Sequence, residues 1–392
     1  MDKIIESPVF SRLKADRPQD LKKIIPVVGD IHKSELGLSI EDQKRLIDEV
    51  SVVFHVAASV DFDEELISSL KTNLIGTANT LNLIHRMKNI KSFVHVSTAY
   101  CNTHLDVLEE KVYLPPAPLD DILKYLEEPK LNRTRISKLY RDRPNTYTFA
   151  KALAEHYVLR NHGSIPTVIV RPSIVVSSFK EPIPGWSDTI QGSTALVATS
   201  WKGLNRVVLG KQNNVVDFIP VDYVSNLLVV AAAKCHSSRD VIVHNCCTSS
   251  TQPLTLKMIV KFLHNKEADK SPYNITYPRV IFTENKQLLS ILLLLLQTGP
   301  AYAADLLRRI RGKKPMYMKV QSQLRAAHNT LGYFTSNSWT FKSDSTQRLH
   351  NSLQPSDKNE FNFNPSDVKW DEFFDIYLNG IEQFLLKSRN RK

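Results

Sequence analysis

The chain has 392 residues, of which 42% are hydrophobic, so it can bury a large domain and a smaller one and is neither disordered nor fibrous. Lysines and arginines number 51 against 40 aspartates and glutamates, and the net charge of +11 favours anionic partners such as nucleotide phosphates or a membrane surface. The basic residues are scattered and accompany no zinc-finger or RNA-binding signature, which argues against a nucleic-acid partner.

Short β-branched runs alternate with helical patterns through the first 250 residues, as is typical of a parallel sheet covered by helices. The predicted strands are Ile24 to Val28, Val52 to His55, Phe93 to Ser97, Thr167 to Val170 and Val241 to His244. The predicted helices between them are Ile40 to Val50, Leu66 to Met87 and Asn145 to Arg160. Because the strands are apolar along their whole length, they suit burial on both faces. We therefore predict an α/β fold built on a doubly wound, Rossmann-like parallel sheet.

Two other parts of the sequence differ in pattern. Residues 102 to 143, rich in charge and proline, interrupt the alternation and are interpreted as an excursion over a substrate entrance. After about residue 250 the pattern is mainly helical, with an apolar block at Leu288 to Leu296 and a closing amphipathic helix from Trp370 to Phe384. A linker-like composition near 249 to 256 predicts two domains, 1–250 and 251–392.

Cysteine spacing indicates the cellular compartment. The four cysteines form neither a CxxC pair nor a regular framework: Cys101, Cys235, Cys246 and Cys247. This pattern is typical of a reducing environment. Because no signal peptide precedes the first charged helix, the sequons at Asn132 and Asn274 are expected to carry no sugar.

Tyr147 and Lys151 lie four residues apart in a helical pattern that starts after Asn145 and closes at Gly163. Residues at this spacing share a helix face. A phenol has an unperturbed pKa of about 10, and a neighbouring cation moves that pKa toward neutral by stabilising the phenolate. The pair suits proton donation to a carbonyl oxygen as hydride arrives. The spacing alone is weak evidence, because a tyrosine packed under a lysine stem has the same pattern.

Ser97 and Thr98 end the strand that starts at Phe93, and the carboxyl edge of a parallel sheet is where ligands collect. A hydroxyl at this edge would hydrogen-bond the same carbonyl oxygen, although it could also cap the strand end. The order of strand, hydroxyl pair, charged excursion and Tyr/Lys helix favours the catalytic interpretation.

Several longer motifs surround these residues. They are Val28-Gly-Asp-Ile31, Val53-Phe-His-Val-Ala-Ala58, Val94-His-Val-Ser-Thr-Ala-Tyr100, Asp142-Arg-Pro-Asn-Thr-Tyr-Thr-Phe-Ala-Lys-Ala-Leu-Ala-Glu155, Val170-Arg-Pro-Ser-Ile-Val175, Glu181-Pro-Ile-Pro-Gly-Trp186 and Ile219-Pro-Val-Asp-Tyr-Val224. On these motifs the sequence resembles the extended short-chain dehydrogenases and, within them, the fatty acyl-CoA reductases, especially those of insects. The last part resembles that family's C-terminal domain through Gly332-Tyr-Phe, Trp339-Thr-Phe341, Phe361-Asn-Phe363 and Trp370-Asp.

The resemblance implies an NADPH-dependent reduction of a long-chain acyl-CoA to a primary alcohol, through a bound aldehyde. It implies that Tyr147 donates the proton, that Thr98 or Ser97 holds the oxyanion, and that Lys151 binds the nicotinamide ribose. The family's other cofactor contacts match a set of further positions: Asp30, Ile31, Ala57, Ala58, Asn73, Pro172 and Ser173. Each has a structural alternative: Asp30 as a turn cap, Asn73 as a backbone partner, and Ala57 with Ala58 as tight packing.

The beginning of the sequence departs from the family pattern. Family members open with a strand, a Gly-x-x-Gly-x-x-Gly turn, a helix and a second strand with basic residues for the 2′-phosphate, whereas Met1 to Phe10 resembles only the helix beyond them. We therefore expect an incomplete sheet, with a gap between Ile24 to Val28 and Val52 to His55, and a pyrophosphate site without its glycine-lined helix terminus. This implies either an incomplete form of a longer chain or one inactive with NADPH as it stands.

The apolar block from Ser290 to Leu296 is followed by a basic run from Arg308 to Lys314. Gln297, Gly299, Pro300 and Asp305 interrupt the block before the roughly 20 residues that a spanning helix needs. A buried helix of the second domain and a helix on an anionic membrane both fit this pattern. The family resemblance implies a cytosol-facing position at endoplasmic reticulum or peroxisomal membranes.

Two other functional classes remain open. One is another extended dehydrogenase, such as a sterol dehydrogenase or sugar epimerase, against which the helical second domain and Glu181-Pro-Ile-Pro-Gly-Trp186 argue. The other is a non-catalytic acyl-binding protein without a working cofactor loop. No metal site is predicted, and His55 and His95 are interpreted as buried or sheet-edge histidines because no second ligand lies at a suitable spacing.

Overall fold

A computed structural model describes residues 2–127, 143–235, 240–265 and 280–386. The sequons at Asn132 and Asn274 and the last part of the excursion at 102–143 lie outside these ranges. The described chain divides into two compact units: one of residues 1–173, 222–247 and 340–365, and one of residues 174–221, 248–339 and 366–392. Segments from both sides of residue 250 contribute to each unit. The domains 1–250 and 251–392 stay a prediction.

The first unit is built around a parallel sheet of four described strands in the order β1-β2-β3-β4. They are β1, Val52–His55; β2, Ser92–Val96; β3, Thr167–Pro172; and β4, Ile242–Cys246. The register pairs His55 with His95 and Val170 with His244. Four of the five predicted strands and the α/β fold class are thereby confirmed.

The predicted strand Ile24 to Val28 is wrong. The segment has no regular secondary structure, and the Val28 side chain is 85% exposed. Pro26 removes a backbone donor from its middle, and β-propensity alone does not hold an unpaired segment extended. Among the described residues β1 is therefore an edge strand, and the expected gap between two flanking strands does not occur.

The first unit also contains helices, and several of them pack on the sheet to form its hydrophobic core with it. The helices before residue 143 are Asp2–Ile5, Ser11–Asp16, Ile40–Glu49, Leu66–Leu70, a π-helical turn at Lys71–Ile75, Gly76–Ile84 and Leu119–Glu127. The helices after residue 143 are Thr146–Asn161, Val221–Lys234, Asp344–Asn351 and Pro355–Glu360. Phe93 and Ile169 of the sheet pack with Leu81, Ile84 and Val158 of the helices. The three helices predicted in the first half are confirmed, and a short parallel pair joins Val107–Leu108 to Thr340–Phe341.

The second unit is mainly helical, as the sequence predicts for its C-terminal part. It has two parallel strand pairs, Ile174–Val176 with Phe218–Pro220 and Val207–Leu209 with Ile281–Thr283. Its helices are Gly192–Trp201, Leu256–Asn265, Lys286–Leu293, a π turn at Leu294–Thr298, Gly299–Ile310, Tyr317–Ser336, Trp370–Gly380 and a π turn at Ile381–Leu386. The predicted amphipathic helix is confirmed, since Phe373, Phe374 and Tyr377 are fully buried.

Candidate active site

The helix Thr146–Asn161, called the site helix below, carries Tyr147 and Lys151. Asn145 caps its start: the Asn145 side-chain oxygen accepts the Thr148 backbone N–H at 2.9 Å. Gly163 follows its end with φ of +61°, a conformation that glycine adopts without a Cβ penalty. Both predicted helix signals are therefore confirmed, and the helix packs its buried face against Leu70 and Leu74.

Tyr147 is partly exposed in the first turn of the site helix, and its ring stacks on Phe62 with centroids 5.7 Å apart. Burial of the hydroxyl and the nearby Cys101 thiol raise the pKa of Tyr147 well above its ordinary value, whereas a side-chain hydrogen bond with Thr98 lowers it. Tyr147 and Thr98 are thus brought together, as the sequence predicts. The net direction of the pKa is opposite to the one that pairing with Lys151 predicts.

Ser97 and Thr98 follow β2 directly, at the carboxyl edge of the sheet. The Thr98 hydroxyl oxygen accepts the Tyr100 backbone N–H at 3.3 Å and caps the turn Ala99–Asn102. The Ser97 hydroxyl is buried near the Cys101 thiol and has no hydrogen-bond partner of good geometry. The Thr98 hydroxyl therefore caps the turn and also contacts Tyr147, whereas the Ser97 hydroxyl can still form hydrogen bonds.

Lys151 is only 2% exposed, and its ammonium donates to the Val96 carbonyl oxygen at 2.8 Å. Burial lowers the pKa of Lys151 to about 8, against the raising effect of the Glu155 carboxylate and Cys101. The bonded partner of this ammonium is strand backbone at the carboxyl end of β2, one residue before Ser97. The lysine thus reaches the predicted site, and its charge is sensitive to pH near neutrality.

A buried ion pair that sequence reasoning missed lies beside Lys151. Arg171 on β3 makes two 2.7 Å hydrogen bonds to the Glu155 carboxylate, and neither side chain has more than 1% exposure. Arg171 also donates to the carbonyl oxygens of Glu109 at 3.1 Å and Lys111 at 2.7 Å. The pair joins the site helix, β3 and the start of the excursion. Its signal was an arginine at the end of an otherwise apolar strand, with a glutamate one turn after Lys151.

His55 and His95 are both buried, which confirms their interpretation as core histidines. Their rings stack with centroids 5.4 Å apart, and His55 bonds to the Thr77 hydroxyl at 3.1 Å. Burial lowers the pKa of His55 to about 4 and that of His95 well below its ordinary value, with Lys151 adding to both shifts. Both imidazoles are therefore neutral near pH 7. They lie close enough to Lys151 for its charge to disfavour their protonation.

Two of the residues matched to cofactor contacts, Ser173 and Asn73, have buried polar atoms without hydrogen-bond partners. Ser173 follows Pro172 at the end of β3, and its buried hydroxyl has no partner. Asn73 lies in the π turn, donates to the Ser59 carbonyl at 3.2 Å, and leaves its buried side-chain oxygen without a partner. Buried polar atoms without partners are costly, so these two atoms have unused hydrogen-bonding capacity, and cofactor contact at Ser173 and Asn73 stays a prediction.

The first unit also holds Asp30 and Ile31, matched to contacts near the adenine, and Ala57 and Ala58, matched to the backbone path beside the cofactor. The Asp30 carboxylate accepts the backbone N–H of His32 at 3.0 Å, and this bond lowers the pKa of Asp30. The Ile31 side chain packs against Gly76, where a Cβ would overlap it. Ala57 and Ala58 follow β1 in a segment without regular structure. These positions remain predictions for cofactor contact.

Comparison with known families gives two matches. An NAD-binding family model described as "Male sterility protein" matches residues 1–228, and a Sterile model with the same description matches residues 296–388. Fatty acyl-CoA reductase 1 of Rattus norvegicus is 36% identical over 395 residues, covering 99% of this chain and 76% of its own length. The Xenopus laevis protein of the same name is 36% identical over 386 residues, covering 97% and 75%.

Among solved structures, the terminal R domain from the myxalamid PKS-NRPS pathway has a TM-score of 0.61 at 20% identity. The match covers 94% of this chain and 78% of that domain. At this identity it supports the reductase-like α/β fold alone.

Proposed function

Because this chain belongs to the fatty acyl-CoA reductase family of oxidoreductases, we propose that it reduces long-chain acyl-CoA to a primary alcohol and free CoA, with NADPH as the reductant. Residues 1–250 would form the nucleotide-binding domain and residues 251–392 the second domain. Membership in the family with a matched NAD-binding model supports a nicotinamide cofactor; the choice of NADPH and the aldehyde intermediate are part of the proposal.

The observation that carries the proposal is the grouping of Tyr147, Thr98 and Lys151 at the carboxyl edge of β2. A bound nicotinamide supplies hydride to the acyl carbonyl. The Thr98 and Ser97 hydroxyls are placed to donate hydrogen bonds to the oxyanion that develops there. Tyr147 donates its phenolic proton to the same oxygen; its raised pKa keeps it protonated before that transfer.

Lys151 is proposed to hold the nicotinamide ribose and to lower the pKa of Tyr147. This requires its ammonium to exchange the Val96 carbonyl for ribose hydroxyls. Pro172 and Ser173 would lie against the nicotinamide, and Asn73 would support the site. Asp30 and Ile31 would lie near the adenine, and Ala57 and Ala58 along the backbone path beside the cofactor.

When the hemithioacetal collapses, its C–S bond breaks and its hydroxyl proton ends on the CoA sulfur, which leaves the aldehyde. Tyr147, reprotonated from solvent, would then serve the aldehyde together with Thr98 and Lys151 in a second reduction that consumes a second NADPH.

The test is Tyr147→Phe in the purified protein, with long-chain acyl-CoA and NADPH as substrates. Alcohol formation, followed by gas chromatography, is expected to fall at least about 100-fold, since general acid catalysis typically contributes about 10²–10⁴. NADPH binding, followed by fluorescence, should change little. Tyr157→Phe, a second partly buried tyrosine of the site helix, is the matched control and should keep full activity.

Two outcomes would contradict the proposal in different ways. Alcohol formation by Tyr147→Phe at the wild-type rate would remove Tyr147 as proton donor. A wild-type chain that binds acyl-CoA without binding NADPH would indicate the non-catalytic acyl-binding alternative.

The proposed place of this reaction is the cytosolic side of endoplasmic reticulum or peroxisomal membranes. Among the described residues, Lys286–Ile310 is the helix long and apolar enough to cross a membrane by length and composition. Fractionation of cells expressing the tagged chain, with protease protection of the tag, tests both the membrane and the side.

A further inference from the structure

The helix Lys286–Ile310, called the apolar helix below, is continuous over 25 residues although Gly299 and Pro300 lie within it. The π-helical turn Leu294–Thr298 precedes Pro300. Local π-helical geometry lets a helix continue through a proline, which has no backbone N–H to donate. The helix therefore continues through the residues that interrupt the apolar run in the sequence. At 1.5 Å per residue the helix is about 37 Å long, so length does not decide how it meets a membrane.

One side of the apolar helix is fixed to its own unit by buried polar bonds. Gln297 accepts the Arg206 backbone N–H at 3.3 Å and donates to Gln321 at 3.2 Å. The Asp305 carboxylate accepts the backbone N–H groups of Met316, Tyr317 and Met318 at 2.8 to 3.0 Å, at the start of the helix Tyr317–Ser336.

Gln297, Ala301 and Asp305 are buried one turn apart, so they form a continuous inner face. A helix that spans a bilayer alone would have to release these bonds and carry a carboxylate into hydrocarbon, which is strongly unfavourable. The polar residues that break the apolar run in sequence thus face inward. They argue against spanning, and most of the exposed residues of the helix are apolar.

The exposed apolar residues of the helix form a stripe. Its members have exposed fractions between 44% and 74%: Leu288, Ile291, Leu294, Leu295, Tyr302, Leu306, Leu307 and Ile310. They extend from the first turn of the helix to its last residue, and exposed apolar residues grouped in this way mark protein or membrane interaction sites.

The charges that the apolar helix and the following run expose have one sign. Between Asn285 and Lys314 the acidic side chain is Asp305, which is buried and bonded as described above. Arg308 is held by the Lys314 carbonyl oxygen at 2.9 Å and by the Tyr317 ring. The remaining basic side chains of the run are exposed: Arg309, Arg311, Lys313 and Lys314.

We propose that the apolar helix lies in the plane of an anionic membrane as a monotopic anchor, with its stripe in the acyl layer and Arg309 to Lys314 on the lipid headgroups. The proposal rests on the membrane association proposed above and defines its mode. A linear apolar stripe that ends in exposed cations is complementary to a bilayer with anionic headgroups. An in-plane helix also leaves the bonds of Gln297 and Asp305 intact.

The first test is flotation of the full chain with vesicles of phosphatidylcholine, with and without phosphatidylserine. Leu295→Glu and Leu306→Glu should each lower partitioning about tenfold or more on both vesicle types, since each removes the burial of a leucine. Lys313→Ala with Lys314→Ala should lower it about fivefold per residue on anionic vesicles and little on neutral ones. Leu114→Glu, at an exposed leucine outside the stripe, and Lys257→Ala with Lys261→Ala are matched controls.

The second test separates in-plane from spanning geometry. Nitroxide labels on Leu288→Cys, Tyr302→Cys and Ile310→Cys report depth, and the native cysteines are buried. Similar shallow depths at all three positions are expected, whereas a depth gradient with a deep middle position would overturn the proposal. Equal flotation of the wild type and both leucine variants would also overturn it. So would a dimer in vesicle-free solution that those variants dissociate, because a second copy would then occupy the stripe.

Flotation needs neither substrate nor nucleotide, so Tyr147→Phe should float like the wild type. A catalytically inactive chain that floats, and an active chain that does not, are separate results. Circular dichroism of each variant confirms that the second unit is folded.

Discussion

Glu155→Gln tests the buried ion pair at the candidate site. The substitution keeps the shape of the side chain and removes its charge, leaving the Arg171 guanidinium fully buried with two carbonyl oxygens and an amide as partners. The Glu155 carboxylate raises the pKa of Arg171 against the lowering effect of burial. Breaking a buried pair at one partner costs about 3–5 kcal/mol, a large part of the roughly 5–15 kcal/mol that holds a typical domain.

The assay is urea unfolding of Glu155→Gln, Arg171→Met and the double variant. Each single variant should lose about 3–5 kcal/mol, and the double variant should lose clearly less than their sum, because neither charge is left alone. The control is Asp120→Asn, which removes the carboxylate that forms an exposed 3.0 Å ion pair with Arg160. Arg160 lies on the site helix with Glu155, and this variant should change stability by less than about 1 kcal/mol.

A kinetic readout separates this pair from ordinary packing. The Glu155 carboxylate raises the pKa of Lys151, so its removal should lower that pKa below about 8. If the Lys151 cation serves catalysis, activity on the alkaline side should decline at a lower pH in Glu155→Gln than in the wild type. Additive losses in the double variant together with an unchanged alkaline limb would refute the reasoning.

Two further predictions concern stability. His55 and His95 are neutral in the folded chain because burial lowers the pKa of His55 from 6.5 to about 4 and that of His95 well below 6.5, so the unfolded chain binds more protons in that range. The free energy of unfolding should therefore be highest above pH 6.5 and should fall as the pH falls toward about 4. His95→Leu should make that fall shallower when urea unfolding is measured across this pH range. An equally steep fall in the variant would contradict the prediction. Gly380→Ala should destabilise the second unit by about 1–3 kcal/mol, because the added Cβ would overlap the backbone carbonyl oxygen of Gly185. Gly332→Ala, whose Cβ would meet the end of a leucine side chain at 3.3 Å, is its control in thermal unfolding and should change stability little.

The sequence by itself determined the features that are encoded within one turn or one strand. Apolar runs located β1 to β4, and the Asn145 cap and Gly163 located the site helix. The four-residue spacing put Tyr147 and Lys151 on it. These signals are local: hydrogen-bond periodicity, capping groups and backbone conformation depend on neighbouring residues in the chain.

The tertiary structure alone decided which groups meet across elements. It paired Arg171 with Glu155, bonded Lys151 to the Val96 carbonyl and raised the pKa of Tyr147 by burial. It also left Ile24 to Val28 without a strand partner. It turned Gln297 and Asp305 inward, so that a helix whose apolar run is interrupted in the sequence presents an exposed apolar stripe. Desolvation, ion pairing and the direction of a helix face depend on atoms far apart in the chain, and periodicity holds no record of them.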